Sequence, residues 1–139
     1  MKNWKELYET ISEVHENVNA HGGASAEDLL FAEKRLNVKF PEELCALLSE
    51  VDGDDWFLLS VGQILETNFE IRKSFDFYMP LDGLLFFAQN GCGDYYGYPV
   101  TGQGVNDGRI YFWDHETDDR VWKTSGLEET IVKYYNSEI

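Results

Sequence analysis

The chain has 139 residues, 43% hydrophobic and 15% aromatic, which is enough for one buried core and too little for two ordinary domains. Its 26 acidic residues against 11 basic ones give a formal net charge of −15, and a surface so negative repels phosphate backbones, which excludes direct DNA or RNA binding. No long apolar run offers a membrane span and Met1-Lys2-Asn3-Trp4-Lys5-Glu6 leads into no apolar signal segment, so the chain is expected to be soluble in the cytoplasm.

Trp4, Leu7, Tyr8, Ile11, Val14 and Val18 recur at spacings of three and four, which predicts an amphipathic helix ended by Gly22-Gly23. Glu6, Glu9, Glu13 and Glu16 form a stripe on its other face, where His15 and His21 read as ordinary surface residues. Ser25 caps a second helix, with Glu27 and Asp28 at its positive end and Lys34 and Arg35 in its last turn. Leu29, Ala32, Glu33 and Leu36 share a face, and Asn37 suits a left-handed exit. Phe40-Pro41 then starts a third helix, with proline at its first position and Leu44, Leu47, Leu48 and Val51 as its core stripe. Cys45 beside them reads as packing.

Asp52-Gly53-Asp54-Asp55 stops that helix, and Trp56 to Ser60 has strand character. Val61 to Phe77 mixes apolar and charged residues at irregular spacing, which fits one or two short helical segments, and Met79 to Gly83 reads as a turn. The apolar run Leu84 to Ala88, the Asn90-Gly91 and Gly93 break and the aromatics Tyr95, Tyr96 and Tyr98 predict a hairpin around which the rest is organised. Thr101 to Gly108, with three glycines and no phosphate-binding pattern, reads as a mobile connector. Arg109 to Asp114 and Asp119 to Lys123 predict a second strand pair about the turn His115 to Asp118. Ser125 with Glu128 reads as a capping box for a last helix whose inner face holds Leu127, Ile131, Tyr134 and Tyr135. Helices, then mostly sequential strands, then a helix argue an α+β fold with a mostly antiparallel sheet, in a single domain over residues 1–139.

The chemistry-bearing residues converge on no reaction. Cys45 and Cys92 make neither a disulfide framework nor a four-ligand metal set. Cys92 with His115 has the residue types of a nucleophile and base, but no third orienting group or protease signature accompanies them, and a lone cysteine beside glycines reads as filling a small space. Asp52, Asp54 and Asp55 lack the alternating acids and closing glutamate of a calcium loop. Asp114 and Glu116 sit in a turn rich in acids, where a solvated cluster is the plain reading. No catalytic group, cofactor or metal is expected.

Phe86-Phe87-Ala88-Gln89-Asn90-Gly91-Cys92-Gly93-Asp94-Tyr95, followed by Ile110-Tyr111-Phe112-Trp113-Asp114-His115-Glu116, resembles the signature of the SUKH superfamily (Smi/Knr-like domain). Ala32 to Leu44 resembles that superfamily's helix, short link, proline and second helix, with Asn37 where a glycine is common and Asp52-Gly53 where Asn-Gly is common. The resemblance spans roughly Ser25 to the C-terminus. It implies a non-enzymatic immunity protein (antitoxin) that binds and neutralises a cognate protein toxin, or alternatively a regulatory interaction scaffold like the superfamily's fungal member. A small ligand-binding domain or enzyme using the hairpin turn is the remaining alternative, and the oligomeric state is left open.

A nuclease-type toxin must offer lysine and arginine to phosphate, and an inhibitor can fill that cleft with carboxylates backed by aromatic anchors. The candidate residues are the turn acids Asp52, Asp54, Asp55, Asp94, Asp114, Glu116, Asp118 and Asp119, with Trp56, Tyr95, Tyr96 and Trp113 beside them.

Overall fold

In the computed structural model, residues 3–74 and 81–139 are described. Four helices come first: α1 (Trp4–Val14), α2 (Ala26–Leu36), α3 (Glu42–Glu50) and α4 (Val61–Ser74). A 3₁₀ turn over Leu81–Gly83 leads into the strands β1 (Leu84–Gln89), β2 (Tyr95–Thr101), β3 (Gly104–Val105), β4 (Ile110–Trp113) and β5 (Arg120–Thr124), and α5 (Leu127–Tyr135) closes the order. The sheet is antiparallel, in the order β1-β2-β4-β5, with β3 folding back on β2. The α+β fold and the central hairpin read from the sequence are therefore both present.

β1 is apolar from Leu84 to Ala88, where both of its faces are covered. Leu85 and Phe87 join Tyr96, Tyr98 and Ile110 in a large core shared with α1, α2, α3 and α5. Leu84 and Phe86 point the other way, into a smaller core with Ile71, Leu81 and Trp113. Asn68 fastens α4 to this strand: fully buried, it donates to the Phe86 carbonyl at 2.9 Å and accepts the Phe86 amide at 3.0 Å.

α2 follows its sequence signals closely. The Ser25 hydroxyl accepts the Asp28 amide at 3.1 Å, and Asn37 exits at φ 56°, the left-handed region that a short polar side chain tolerates. Leu29, Ala32 and Leu36 are buried, and Glu33 reaches past the turn to accept the Phe40 amide at 2.6 Å.

Other stretches differ from expectation. α1 ends at Val14, since His15 is extended and the chain continues to Ala24 beside residues 51–54. There the amides of Asn19 and His21 donate to the carbonyls of Asp54 and Gly53, and Gly22 bridges Val51. Backbone partners on another segment replace the helical ones, which lets Val18 be buried without belonging to the helix. Pro41 is the N-cap of α3, one residue before its first helical position. Leu58 makes an isolated bridge to Ala88, so the Trp56 to Ser60 run flanks β1 without forming a full strand. Val61–Ser74 is one helix of 14 residues; the remainder of the predicted segment, to Phe77, and Met79-Pro80 of the predicted turn lie outside the described residues. The connector after Thr101 turns tightly, with Val105 paired to Val100.

The expected capping box at Ser125 and Glu128 is replaced by a different arrangement. Gly126 is the N-cap, Glu129 accepts the Ser125 amide at 2.8 Å, and Glu43 of α3 accepts the Leu127 amide at 3.1 Å. A carboxylate 84 residues away thus satisfies an orphan donor at the start of α5.

Candidate partner-binding face

Strand register brings together turns that are far apart in sequence. Phe57 accepts the Gln89 amide, Gln89 pairs with Tyr95, Tyr95 with Trp113, and Trp113 with Arg120. One step beyond each lie Trp56, the turn Asn90 to Asp94, the turn Asp114 to Asp118, and Asp119. These form a row across one end of the sheet.

Two turns in that row are tied to each other. The Asn90 side chain accepts the amides of Cys92 at 2.9 Å and Asp94 at 3.3 Å and donates to Asp94 at 3.0 Å, which shapes the hairpin turn from within. Asp94 then reaches across to the β4–β5 turn, accepting the His115 amide at 3.0 Å and meeting His115 Nδ1 at 2.7 Å. Burial alone would raise the Asp94 pKa, but the hydrogen bonds from His115 and Asn90 outweigh it and the net shift is downward. The His115 pKa is raised, chiefly by its hydrogen bond to Asp94.

The candidate acids divide by environment. Asp54 is fully buried, and its carboxylate accepts the amides of Trp56, Phe57 and Leu58 and the hydroxyls of Tyr8 and Tyr135, so it offers nothing to a partner. Asp118 is mostly buried, holding Trp113 Nε1 at 2.7 Å and Arg120 at 3.1 Å. Asp52 accepts the Val61 amide at 2.7 Å and serves the start of α4. Trp113 and Tyr96 are core residues, and Tyr95 is half-buried against Phe86. What remains on the outside is Asp55, Glu116 and Asp119, the partly exposed Asp94 and Asp114, and Trp56, which is 50% exposed. Asp55 holds His21 at 2.8 Å. Its pKa is lowered, first by that hydrogen bond.

Further residues join this end without having stood out in the sequence. Tyr134 stacks on Phe57 with ring centroids 4.0 Å apart and lines a recess of about 270 Å³ with His15, Trp56 and Ile139. His15 is half-buried, its Nε2 2.8 Å from the Tyr135 carbonyl, so it is a docked residue rather than an ordinary surface one. Cys92 is exposed and fills no space, while Cys45 is partly buried and its thiol pKa is raised, first by burial.

Among the described residues, Asp94, Asp114 and His115 have ligand atoms within 4.8 Å of one another, the spacing of a metal-binding trio. His115 Nδ1 and Asp94 Oδ1 nevertheless face each other in a hydrogen bond, which a shared cation would have to break.

The family model described as SMI1 / KNR4 family (SUKH-1) matches residues 23–133. The chain belongs to this family. The match takes in α2 to β5, the hairpin and most of α5, and leaves α1 outside it. A comparison with the curated proteins gave no match. Among the described residues of this SUKH-1 chain, no helix is long and apolar enough to cross a membrane.

Proposed function

We propose that this SUKH-1 chain is a cytosolic immunity protein that neutralises a cognate toxin, of nuclease type, by laying the acidic end of its sheet over the toxin's basic cleft. The observation that carries this reading is the row formed by register: Trp56, Asp94, and the trio Asp114, Glu116 and Asp119 come from three separate turns and share one end. The exposed carboxylates supply charge opposite to a phosphate-binding cleft, and the net charge of −15 adds long-range steering toward a basic partner. Trp56 supplies the half-exposed aromatic anchor that such interfaces favour.

Some of these groups also hold the turns: Asp94 bonds Asn90 and His115, Asp114 accepts the Glu116 amide at 2.8 Å, and Asp55 holds His21. Asp54, Asp118, Trp113 and Tyr96 sit inside, whereas Asp55, Glu116 and Asp119 are exposed and Asp114 is partly exposed. The test is charge reversal with Asp114→Lys paired with Glu116→Lys, and Asp55→Lys paired with Asp119→Lys. Each variant is assayed against the toxin encoded beside the gene for binding and for protection of cells. Lost binding with retained thermal stability supports this face. Wild-type binding and protection in both paired variants would show that the partner sits elsewhere.

A further inference from the structure

α2 presents an apolar patch to solvent in the middle of an otherwise acidic molecule. Leu29, Ala32 and Leu36 face the core, so Leu30 and Phe31 fall on the outer side of the helix, where they are 55% and 56% exposed. Phe69 of α4 is 36% exposed and extends the patch. Arg35 lies between the two rings, its guanidinium carbon 5.8 Å from the Phe31 centroid and 5.4 Å from that of Phe69. An aromatic pair around an arginine, ringed by polar residues, has the composition of a protein interface.

Charge identifies what covers it. α2 holds three acids and two bases and α4 holds two of each, so the two helices together carry −1 of the chain's −15. The elements bearing this patch are thus where a second, equally acidic molecule meets little repulsion. The charges are also ordered along α2, with Glu27 and Asp28 in its first turn, Lys34 and Arg35 in its last, and Phe31 midway. An antiparallel pairing about a two-fold axis at Phe31 sets Glu27 against the second copy's Arg35 and Asp28 against its Lys34. The patch is therefore self-complementary, as an isologous interface requires.

We infer that the α2 face around Phe31 is a homodimer interface, in which two copies pair their α2 helices antiparallel with Phe69 and Arg35 flanking the contact. The inference does not depend on the toxin reading.

The test is the mass of the full chain in solution, by light scattering and sedimentation at about 100 μM in roughly 0.15 M salt, near physiological ionic strength. The expected species has twice the chain's mass of 16.1 kDa. Phe31→Glu, at an exposed position, should raise the dissociation constant at least tenfold. Asp28→Lys alone should weaken the dimer by placing like charges together, and combining it with Lys34→Asp should restore it. Trp122→Glu, on the outer strand, should leave the mass unchanged. A monomer at 100 μM, a dimer insensitive to Phe31→Glu, or failure of the double charge swap to restore association would each overturn the inference.

Discussion

Tyr135, in the last helix, donates its hydroxyl to Asp54 Oδ2 at 2.5 Å across 81 residues of chain. Tyr8 donates to the same oxygen at 2.8 Å, and Oδ1 takes the amides of Trp56, Phe57 and Leu58 at 2.9, 2.7 and 2.8 Å. One carboxylate, an acceptor for all five donors, thereby joins α1, the loop after α3 and α5. Burial, with Asp54 adding to it, raises the hydroxyl pKa of both tyrosines.

Removing that acceptor strands five donors in the interior, and breaking a buried charged network typically costs about 3–5 kcal/mol. Asp54→Ala should lose that much in urea denaturation, and Tyr135→Phe, which removes a single donor, about 1–2 kcal/mol. A loss below about 1 kcal/mol in Asp54→Ala, less than one buried hydrogen bond, would show that the three segments are held mainly by their apolar contacts.

The Asp94–His115 bridge predicts a pH dependence. His115 has a folded pKa above its ordinary 6.5, so its contribution is full below 6.5 and disappears as pH rises through the folded value. Asp94 has a folded pKa below its ordinary 3.8, so its contribution is full above 3.8 and disappears as pH falls through the folded value. The bridge is therefore most stabilising between these two ordinary values. In thermal melts the gap between wild type and His115→Gln should be widest near pH 5 and shrink by pH 9; a constant gap would remove the ion pair from the account.

Gly91 and Gly93 share a hairpin turn but not the same constraint. Gly91, at φ +82°, has open space where a Cβ would stand, so Gly91→Ala meets only backbone strain of about 1–2 kcal/mol. Gly93, at φ +94°, would place its Cβ 2.9 Å from the His115 ring. Gly93→Ala should cost more than Gly91→Ala and also reduce the pH dependence just described, because the imidazole must move. Equal costs with an intact pH profile in both variants would show that the ring shifts without losing Asp94.

Glu43 gives a fourth internal test. It accepts the Tyr98 hydroxyl at 2.7 Å and the Leu127 amide at 3.1 Å, and Tyr98 is fully buried. Glu43→Ala should destabilise the protein by about 1–3 kcal/mol and speed hydrogen exchange in the first turn of α5 before the rest of that helix. Unchanged exchange at Leu127 would mean that α5 is held without this cap.

Local patterns were readable where local energetics decide the outcome: Ser25 and Asn37 bound α2, and Asn90 to Asp94 makes the turn that its residues demand. Elsewhere a distant partner decides. The apolar spacing that runs to Val18 promised a longer first helix, but residues 51–54 take the backbone hydrogen bonds of the segment after His15. Ser125 and Glu128 looked like a cap, whereas Glu43 and Glu129 accept the amides there. The same limit governs the candidate site. Residue type placed Asp54, Asp55, Asp118 and Asp119 in one class, and only the fold separates the two that hold the turns from the two that face outward. Asn68 looked like one more polar residue in a weak helix and is the group that fastens α4 to β1.

Trp56 separates recognition from folding. Its backbone amide is held by Asp54, whereas its indole is half-exposed beside Asp55 and Tyr134. Truncating the side chain therefore leaves the amide bond to Asp54 in place, and stability should change by less than about 1 kcal/mol. If the acidic end of the sheet covers a toxin's cleft, the same change removes an aromatic anchor, worth about 2 kcal/mol or more, or roughly 30-fold in affinity. Trp56→Ala should accordingly raise the dissociation rate for the cognate toxin while salt still slows association, since the carboxylates that steer the encounter remain. Comparing Trp56→Ala with the Asp114→Lys and Glu116→Lys pair divides the two roles, the tryptophan acting on dissociation and the acids on salt-dependent association. If Trp56→Ala binds the toxin with wild-type dissociation, the tryptophan lies outside the interface and the partner engages the acids alone or another face.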